Sequence, residues 1–298
     1  MAEVIHIGYP KTATTWFQDE YFPKVENFHF ESWKVVNRYF LLSDSFLFEA
    51  EKTRIELNPK NKYTNLLFSS EFLTTAINFG WHGGNYSIAS AQKLKETYPQ
   101  AVIVIFLRRQ QSLICSAYQQ YIKNGGTFSF KKWLYSGEVF SFEHLLFDKL
   151  IALYDSLFGE ENVKIYLYED FRENSEHFLE TFNANLGFIV DMSSISLKPI
   201  NKGLRKGVIP IQRFLNLFYR KPIGRKHFIV HVPGMTSVAR QVMKRINRCS
   251  IFGGFLSEKN MLSVNDIDYI RKFYSKSNAN LANRLGFDAI KKHGYYLD

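Results

Sequence analysis

Short apolar runs recur at 3–8, 64–70, 101–107 and 162–168, and the stretches between them carry apolar residues at helical spacing. Run 101–107 (AVIVIFL) is unbroken, the pattern of a strand buried on both faces of a parallel sheet. Val4, Ile5, Ile7 and Gly8 read as another buried strand, 64–70 (TNLLFSS) as a third, and the alternation from Val163 to Tyr168 as a fourth. After the first strand, Trp16, Phe17, Tyr21 and Phe22 form an aromatic helical stripe that Pro23 stops. After 107, Leu113, Ile114, Ala117, Tyr118 and Tyr121 share one side of a helix that begins near Gln110. Ile267, Ile270, Phe273 and Tyr274 face inward from a long helix over 266–284, which Gly286 punctuates. Strands alternating with helices predict an α/β fold, a parallel β-sheet flanked by helices, with 1–298 as one domain.

The junction after the first strand carries the clearest chemistry. Pro10-Lys11-Thr12-Ala13-Thr14-Thr15-Trp16 holds one lysine, three threonines and no acid. A helix N-terminus offers unpaired N–H groups and the positive end of its dipole, so such a turn can hold an anion. Lys11 adds a full charge, and Thr14 and Thr15 add hydroxyl donors, which suits phosphate or sulfate. The nucleotide-triphosphatase form of this turn ends in Gly-Lys-Ser/Thr, with the hydroxyl on a magnesium ion. Here the lysine comes three residues earlier and no Gly-Lys pair follows. The 101–107 run ends in Arg108-Arg109, and a helix follows. Ser116 lies eight residues after Arg108, about two turns into the following helix. Arginine's rigid fork matches phosphate oxygens, and serine adds a neutral hydroxyl. Arg109 competes for the same role.

The spacing Pro-Lys-x-x-Thr-Thr-Trp resembles the phosphosulfate-binding loop of the sulfotransferases. That family transfers a sulfuryl group from 3′-phosphoadenosine-5′-phosphosulfate (PAPS) to a hydroxyl or amine. Its loop has glycine at the position of Ala13; alanine stays small but tolerates positive φ poorly, so a slightly reshaped loop is expected. The resemblance implies a P-loop-like sheet, PAPS as co-substrate and no metal. It implies that Lys11, Thr12, Ala13, Thr14 and Thr15 surround the phosphosulfate and that Trp16 stacks on the adenine. Arg108 and Ser116 would hold the 3′-phosphate, and Tyr168, opening Tyr168-Glu169-Asp170, would contact the adenine. Glu169 and Asp170 read as braces for the next turn. Arg205-Lys206-Gly207 resembles a late 3′-phosphate clamp of the cytosolic branch, at a shorter gap from Tyr168 than that branch has. Residues 278–288 and Gly294-Tyr295 look like the ending of bacterial-type carbohydrate sulfotransferases, so the likeness extends over most of the chain. Residues 23–60 and 208–260 have no familiar pattern.

In one branch of this family a glutamate just after the 64–70 strand takes the acceptor's proton, and in the cytosolic branch a histidine does. Here the position reads Ser69-Ser70-Glu71, which makes Glu71 the expected base, at a strand end that faces the ligand crevice of a parallel sheet. His82, within Gly80-Trp81-His82-Gly83-Gly84, is the second candidate. His6, inside the first strand, reads as a core histidine. Trp81, Tyr86, Phe128 and Trp133 fit sugar stacking, although the commoner fate of such rings is the core.

Charge is unevenly distributed. Lys and Arg number 38 against 28 Asp and Glu, a net of +10. Between 192 and 257 there are 13 basic residues and no acid, which leaves 25 basic against 28 acidic residues elsewhere. A stretch of that length without a carboxylate implies an anionic partner: an acidic polysaccharide, a lipid-linked sugar pyrophosphate or an anionic membrane surface. Ile209, Ile211, Phe214, Leu215 and Phe218 make an apolar helical face within it, read first as core. Met1-Ala2-Glu3 runs straight into the first strand and no run is long enough to span a bilayer, so the expected location is cytoplasmic, with peripheral contact at the inner membrane face. Cys115 and Cys249 suggest neither a disulfide framework nor a metal site. No nucleic-acid partner is expected.

The sequence points to a PAPS-dependent sulfotransferase acting on a carbohydrate hydroxyl of a polysaccharide, glycolipid or lipid-linked sugar. Two other classes remain open. A small-molecule or nucleoside kinase would need magnesium and the missing Gly-Lys. A non-catalytic anion- or membrane-binding protein would have no use for the arginine–serine spacing.

Overall fold

The computed structural model describes residues 2–74, 85–198, 203–218 and 229–297. Its centre is a sheet of five strands, β1 (Ala2–His6), β2 (His29–Glu31), β3 (Asn65–Ser69), β4 (Val102–Leu107) and β5 (Val163–Leu167). They lie in the order β2-β3-β1-β4-β5, and every neighbouring pair is parallel. Four of these strands coincide with the apolar runs. The fifth, β2, is a three-residue edge strand inside 23–60, too short to show a period of its own.

The pleat sends alternate side chains into two cores. Ile5, Leu66, Phe68, Ile103, Ile105 and Leu107 are buried with Leu113, Ile114, Tyr154 and Ile270 from the helices Gln110–Lys123, Phe147–Phe158 and Val264–Leu285. Val4, Leu67, Val104 and Phe106 face the other way, onto Trp16, Phe17, Tyr21, Phe22, Phe178 and Phe182. Both faces of the sheet are covered, which is why β4 reads as a continuous apolar run. The aromatic stripe after β1 is helical but irregular: one α turn (Thr14–Trp16), a wide π turn (Phe17–Tyr21) and a tight turn (Phe22–Lys24) that contains Pro23.

β1 sits between β3 and β4, so the chain leaves its C-terminal end in one direction for β2 and β3 and in the other for β4. A crevice opens at such a switch point, bordered by the loops that follow the strands. Past the end of β1 the chain stays bonded to β4, with Ile7 N–H donating to Val104 O at 2.9 Å and Tyr9 N–H to Phe106 O at 3.0 Å. Those two bonds deliver Lys11 to the crevice in a fixed position.

Gly8 lies between them. A Cβ at this position would stand 2.7 Å from His6 Nε2 and 3.0 Å from Phe106 Cβ, both inside the aromatic core. Gly8→Ala is therefore expected to lose about 1–3 kcal/mol to overpacking. A chemical denaturation curve with the midpoint of the parent would show that the core can give way there.

Candidate functional site

The loop after β1 holds a strained backbone. Lys11 (φ 74°) and Ala13 (φ 67°) are both left-handed, so Ala13 adopts a backbone conformation that ordinarily favours glycine. An L-residue in that region costs roughly 1–2 kcal/mol. Thr12 is fully buried and donates its hydroxyl to Tyr9 O at 2.6 Å, which braces the turn from inside. Thr14 is buried at the first helical position and Thr15 is exposed beside it. Lys11 Nζ donates to Gln120 Oε1 at 3.2 Å, across to the Gln110–Lys123 helix.

Arg108 ties this loop to β4. Its Nη1 donates to the Lys11 carbonyl at 2.8 Å and its Nε to Ser112 Oγ at 2.8 Å, while the guanidinium lies 4.7 Å from the centre of the Tyr168 ring. The nearest serine is thus one helical turn closer than Ser116, which stands half-buried a turn further along the same helix. Arg109 turns the other way, pairing with Glu258 at 2.7 Å. Glu169 accepts from the Arg109 backbone N–H at 3.1 Å and from the Tyr295 hydroxyl at 3.2 Å, so it braces the start of the Gln110–Lys123 helix rather than the turn that follows it. The chain's ending is bound there as well. Gln110 Nε2 donates to Asn278 Oδ1 at 2.7 Å, and Gln111 Nε2 donates to Gly294 O at 3.0 Å.

Glu71 follows β3 on the opposite side of β1. Ser70 Oγ accepts from Phe72 N–H and starts the short turn Glu71–Leu73. Glu71 Oε2 accepts from Gln18 Nε2 at 2.9 Å, and the second N–H of that amide goes to Ser69 Oγ at 3.0 Å. The Ser69 hydroxyl is in turn hydrogen-bonded to His6 Nδ1 at 2.8 Å. His6 is fully buried, and burial holds its pKa down to about 3, so this imidazole stays neutral at the base of the network. It is a core histidine, as its strand position suggested.

Lys11 links the two halves of the site. Burial pulls its pKa down from 10.5 to about 8, Lys123 and Arg108 push in the same direction, and Glu71 opposes them. Half-buried positive charge from three side chains, with one carboxylate near it, is an environment that an anion would relieve.

Other expected residues fall elsewhere. Trp16 is a core ring, 6% exposed, packed on Phe17, Tyr21 and Phe171, and its Nε1 donates to Ser196 O at 2.8 Å. Trp133 and Phe128 are also core. Arg205 spends its fork on its own backbone, with Nε donating to Asn247 O at 3.0 Å and Nη1 to Gly253 O at 2.6 Å, and stacks on Phe255. Gly207 lets the chain pass Phe252, whose carbonyl a Cβ would meet at 3.0 Å. Of that triplet, Lys206 alone presents an exposed side chain. His82 and Trp81 lie outside the described residues, as do Arg220, Lys221, Arg225 and Lys226. Gln18, Ser112 and Gln120 are the site residues that sequence reasoning missed. Ser112 lies in the first turn of the helix that follows Arg108.

Among solved structures, the chain is similar to mouse sulfotransferase SULT7A1 complexed with PAP, at a TM-score of 0.50 and 13% identity over 98% of this chain and 88% of that one. It is also similar to a sulfotransferase from Alicyclobacillus acidocaldarius, at a TM-score of 0.48 and 19% identity over 67% of this chain and 87% of that one. No protein-family model and no curated protein matches the chain. The fold is the α/β fold of the sulfotransferases, with its parallel sheet flanked by helices.

Two stability measurements probe the loop. Ala13→Gly is expected to raise stability by up to about 1 kcal/mol, the left-handed strain relieved less the extra entropy of an unfolded glycine; a loss would mean that the methyl group has a packing role. Lys11 is charged in both folded and unfolded chains below about pH 8, so its burial penalty is fully present there. As pH rises from about 8 to 10.5 the folded protein sheds the proton first and the penalty fades. Lys11→Met should therefore be more stable than the parent at pH 7, by on the order of 2 kcal/mol. The gap should narrow toward pH 10, and a gap independent of pH would refute this electrostatic account.

Proposed function

We propose that this protein transfers the sulfuryl group of PAPS to a hydroxyl of a carbohydrate, polymeric or lipid-linked, in the cytoplasm. The observation that carries the reading is the convergence of Lys11, Arg108 and Glu71 at the C-terminal ends of β1, β4 and β3 in a sulfotransferase fold. The left-handed loop, its lysine and the Thr14 and Thr15 hydroxyls suit the phosphosulfate. Arg108, Ser112 and Ser116 offer a fork and two hydroxyls to the 3′-phosphate, with Lys206 as a more distant cation.

In the transfer, the acceptor oxygen bonds to sulfur as the bond from sulfur to the 5′-phosphate oxygen breaks, and the acceptor's proton passes to Glu71. Gln18 holds one carboxylate oxygen, which leaves the other to face the acceptor. Negative charge growing on the departing phosphate meets Lys11 and the loop amides, so positioning and electrostatics supply most of the acceleration.

Calorimetry with PAP, alongside ATP with magnesium, tests the nucleotide, and single-turnover transfer from saturating PAPS tests the base. PAP is expected to bind and ATP with magnesium to bind more weakly. Glu71→Gln should keep PAP affinity and lose roughly 10²–10⁴ in the chemical step. Tighter binding of ATP with magnesium would favour the kinase class, and full turnover by Glu71→Gln would move the base elsewhere, with His82 next.

A further inference from the structure

The described residues of the acid-free stretch are tied to one another by backbone hydrogen bonds. Lys206 N–H donates to Gly254 O, Gly207 N–H to Phe252 O, Ile229 N–H to Leu217 O and Val232 N–H to Phe218 O, at 2.8–3.0 Å. The helix Met235–Ile246 packs inward through Ala239 and Met243. Its outward positions include Arg240, Lys244 and Arg245, with exposed Arg248 just beyond. Large apolar side chains of the same stretch also stand in solvent: Ile251 is 87% exposed, Ile229 70% and Phe214 60%. The unit is seated on the Gln110–Lys123 helix, with Leu204 N–H donating to Gln119 Oε1 at 2.8 Å and Asn216 Nδ2 to Ile122 O at 2.9 Å. That helix also carries Gln120, the partner of Lys11.

We propose that this unit is a docking surface for an anionic lipid bilayer, lying on the membrane with the Lys11 loop one helix away from it. The two chemistries of the surface decide between occupants. A soluble polyanion would neutralise the basic residues but would leave the isoleucines and Phe214 in water. A second copy of the chain would bring two acid-free surfaces together against their own repulsion. An anionic leaflet takes both, with lysine and arginine at the headgroups and apolar side chains below them. Attachment is peripheral, since no helix among the described residues is long and apolar enough to cross a membrane. The proposal does not depend on the sulfuryl-transfer reading.

The test is co-sedimentation of the whole chain with vesicles of about one part phosphatidylglycerol to three of phosphatidylcholine, beside pure phosphatidylcholine, with retention on immobilised heparin measured in parallel. The protein is expected to bind the anionic vesicles, to ignore the neutral ones, and to be released by salt. Each basic side chain withdrawn from an anionic surface should weaken partitioning about fivefold, so the Arg240→Gln, Lys244→Gln, Arg245→Gln, Arg248→Gln variant should lose roughly several hundredfold. Ile229→Ser with Ile251→Ser should lose at least about tenfold on vesicles while keeping its heparin retention. Both variants change exposed side chains only, and unchanged PAP binding would confirm that they fold. Heparin retention without vesicle binding, or an isoleucine variant that binds vesicles as well as the parent, would overturn the proposal in favour of a free polyanion. Binding to neither would reduce the unit to a solvated surface. A wild type that fails to bind PAP yet still sediments with anionic vesicles would sink the sulfotransferase reading and leave the docking surface standing.

Discussion

A hydrogen bond from the Arg108 guanidinium to the Lys11 carbonyl ties the loop after β1 to the end of β4. Lys11 and Ala13 occupy backbone conformations that their side chains disfavour, and such strain persists only where the surroundings over-determine it. Arg108 supplies that constraint from the end of β4, with Thr12 locking the turn from within and Tyr9 bonded to Phe106 behind it. A hydrogen bond from a charged donor contributes about 1.5–3 kcal/mol, comparable with the strain of the two left-handed residues it opposes. Arg108 is therefore a fastener of the loop before it is anything to a ligand, and the helix it abuts is braced in turn by Glu169 and the Asn278 network.

The electrostatics follow from that anchoring. Lys11, Lys123 and Arg108 are held together by the fold although they repel, and burial removes much of the water that would screen them. The arrangement lowers the stability of the ligand-free protein and stores a preference for negative charge, a usual exchange at functional sites. Glu71 is the counterweight. Because Gln18 joins its carboxylate to buried Ser69 and neutral His6, Glu71 is fixed by groups that add no charge.

Sequence reasoning succeeded where the signal was local. Run 101–107 became β4 (Val102–Leu107), the helix after Arg109 does begin at Gln110, and 266–284 lies within Val264–Leu285. In each case periodicity or an unbroken apolar run reflects burial directly. β2 left no such trace, because three residues at a sheet edge need only one neighbour. Within the site, Lys11, Glu71 and Arg108 were legible as charged residues at strand ends. Gln18 was not, since its meaning comes from Ser69 and Glu71, some fifty residues away in the chain. The partners of Trp16 and Arg205 were hidden for the same reason. A motif gives a residue's place in order, whereas its partners, Tyr21 and Phe171 or Asn247 and Gly253, are set by tertiary packing. The apolar residues of 208–218 were read as core, and Ile209, Ile211 and Leu215 do pack against it, while Phe214 turns outward.

The depressed Lys11 pKa also makes the loop a reactive position. An ordinary lysine near neutrality is almost entirely ammonium and therefore poorly nucleophilic, whereas an amine that titrates near 8 is substantially in its free-base form at mildly alkaline pH. Amine-directed acylating reagents and aldehydes therefore meet in Lys11 an amine whose free base is more populated than that of an ordinary lysine. Any anion seated in the loop returns the proton and covers the nitrogen. The rate of that covalent labelling becomes a chemical gauge of occupancy, readable by mass spectrometry without knowledge of the acceptor.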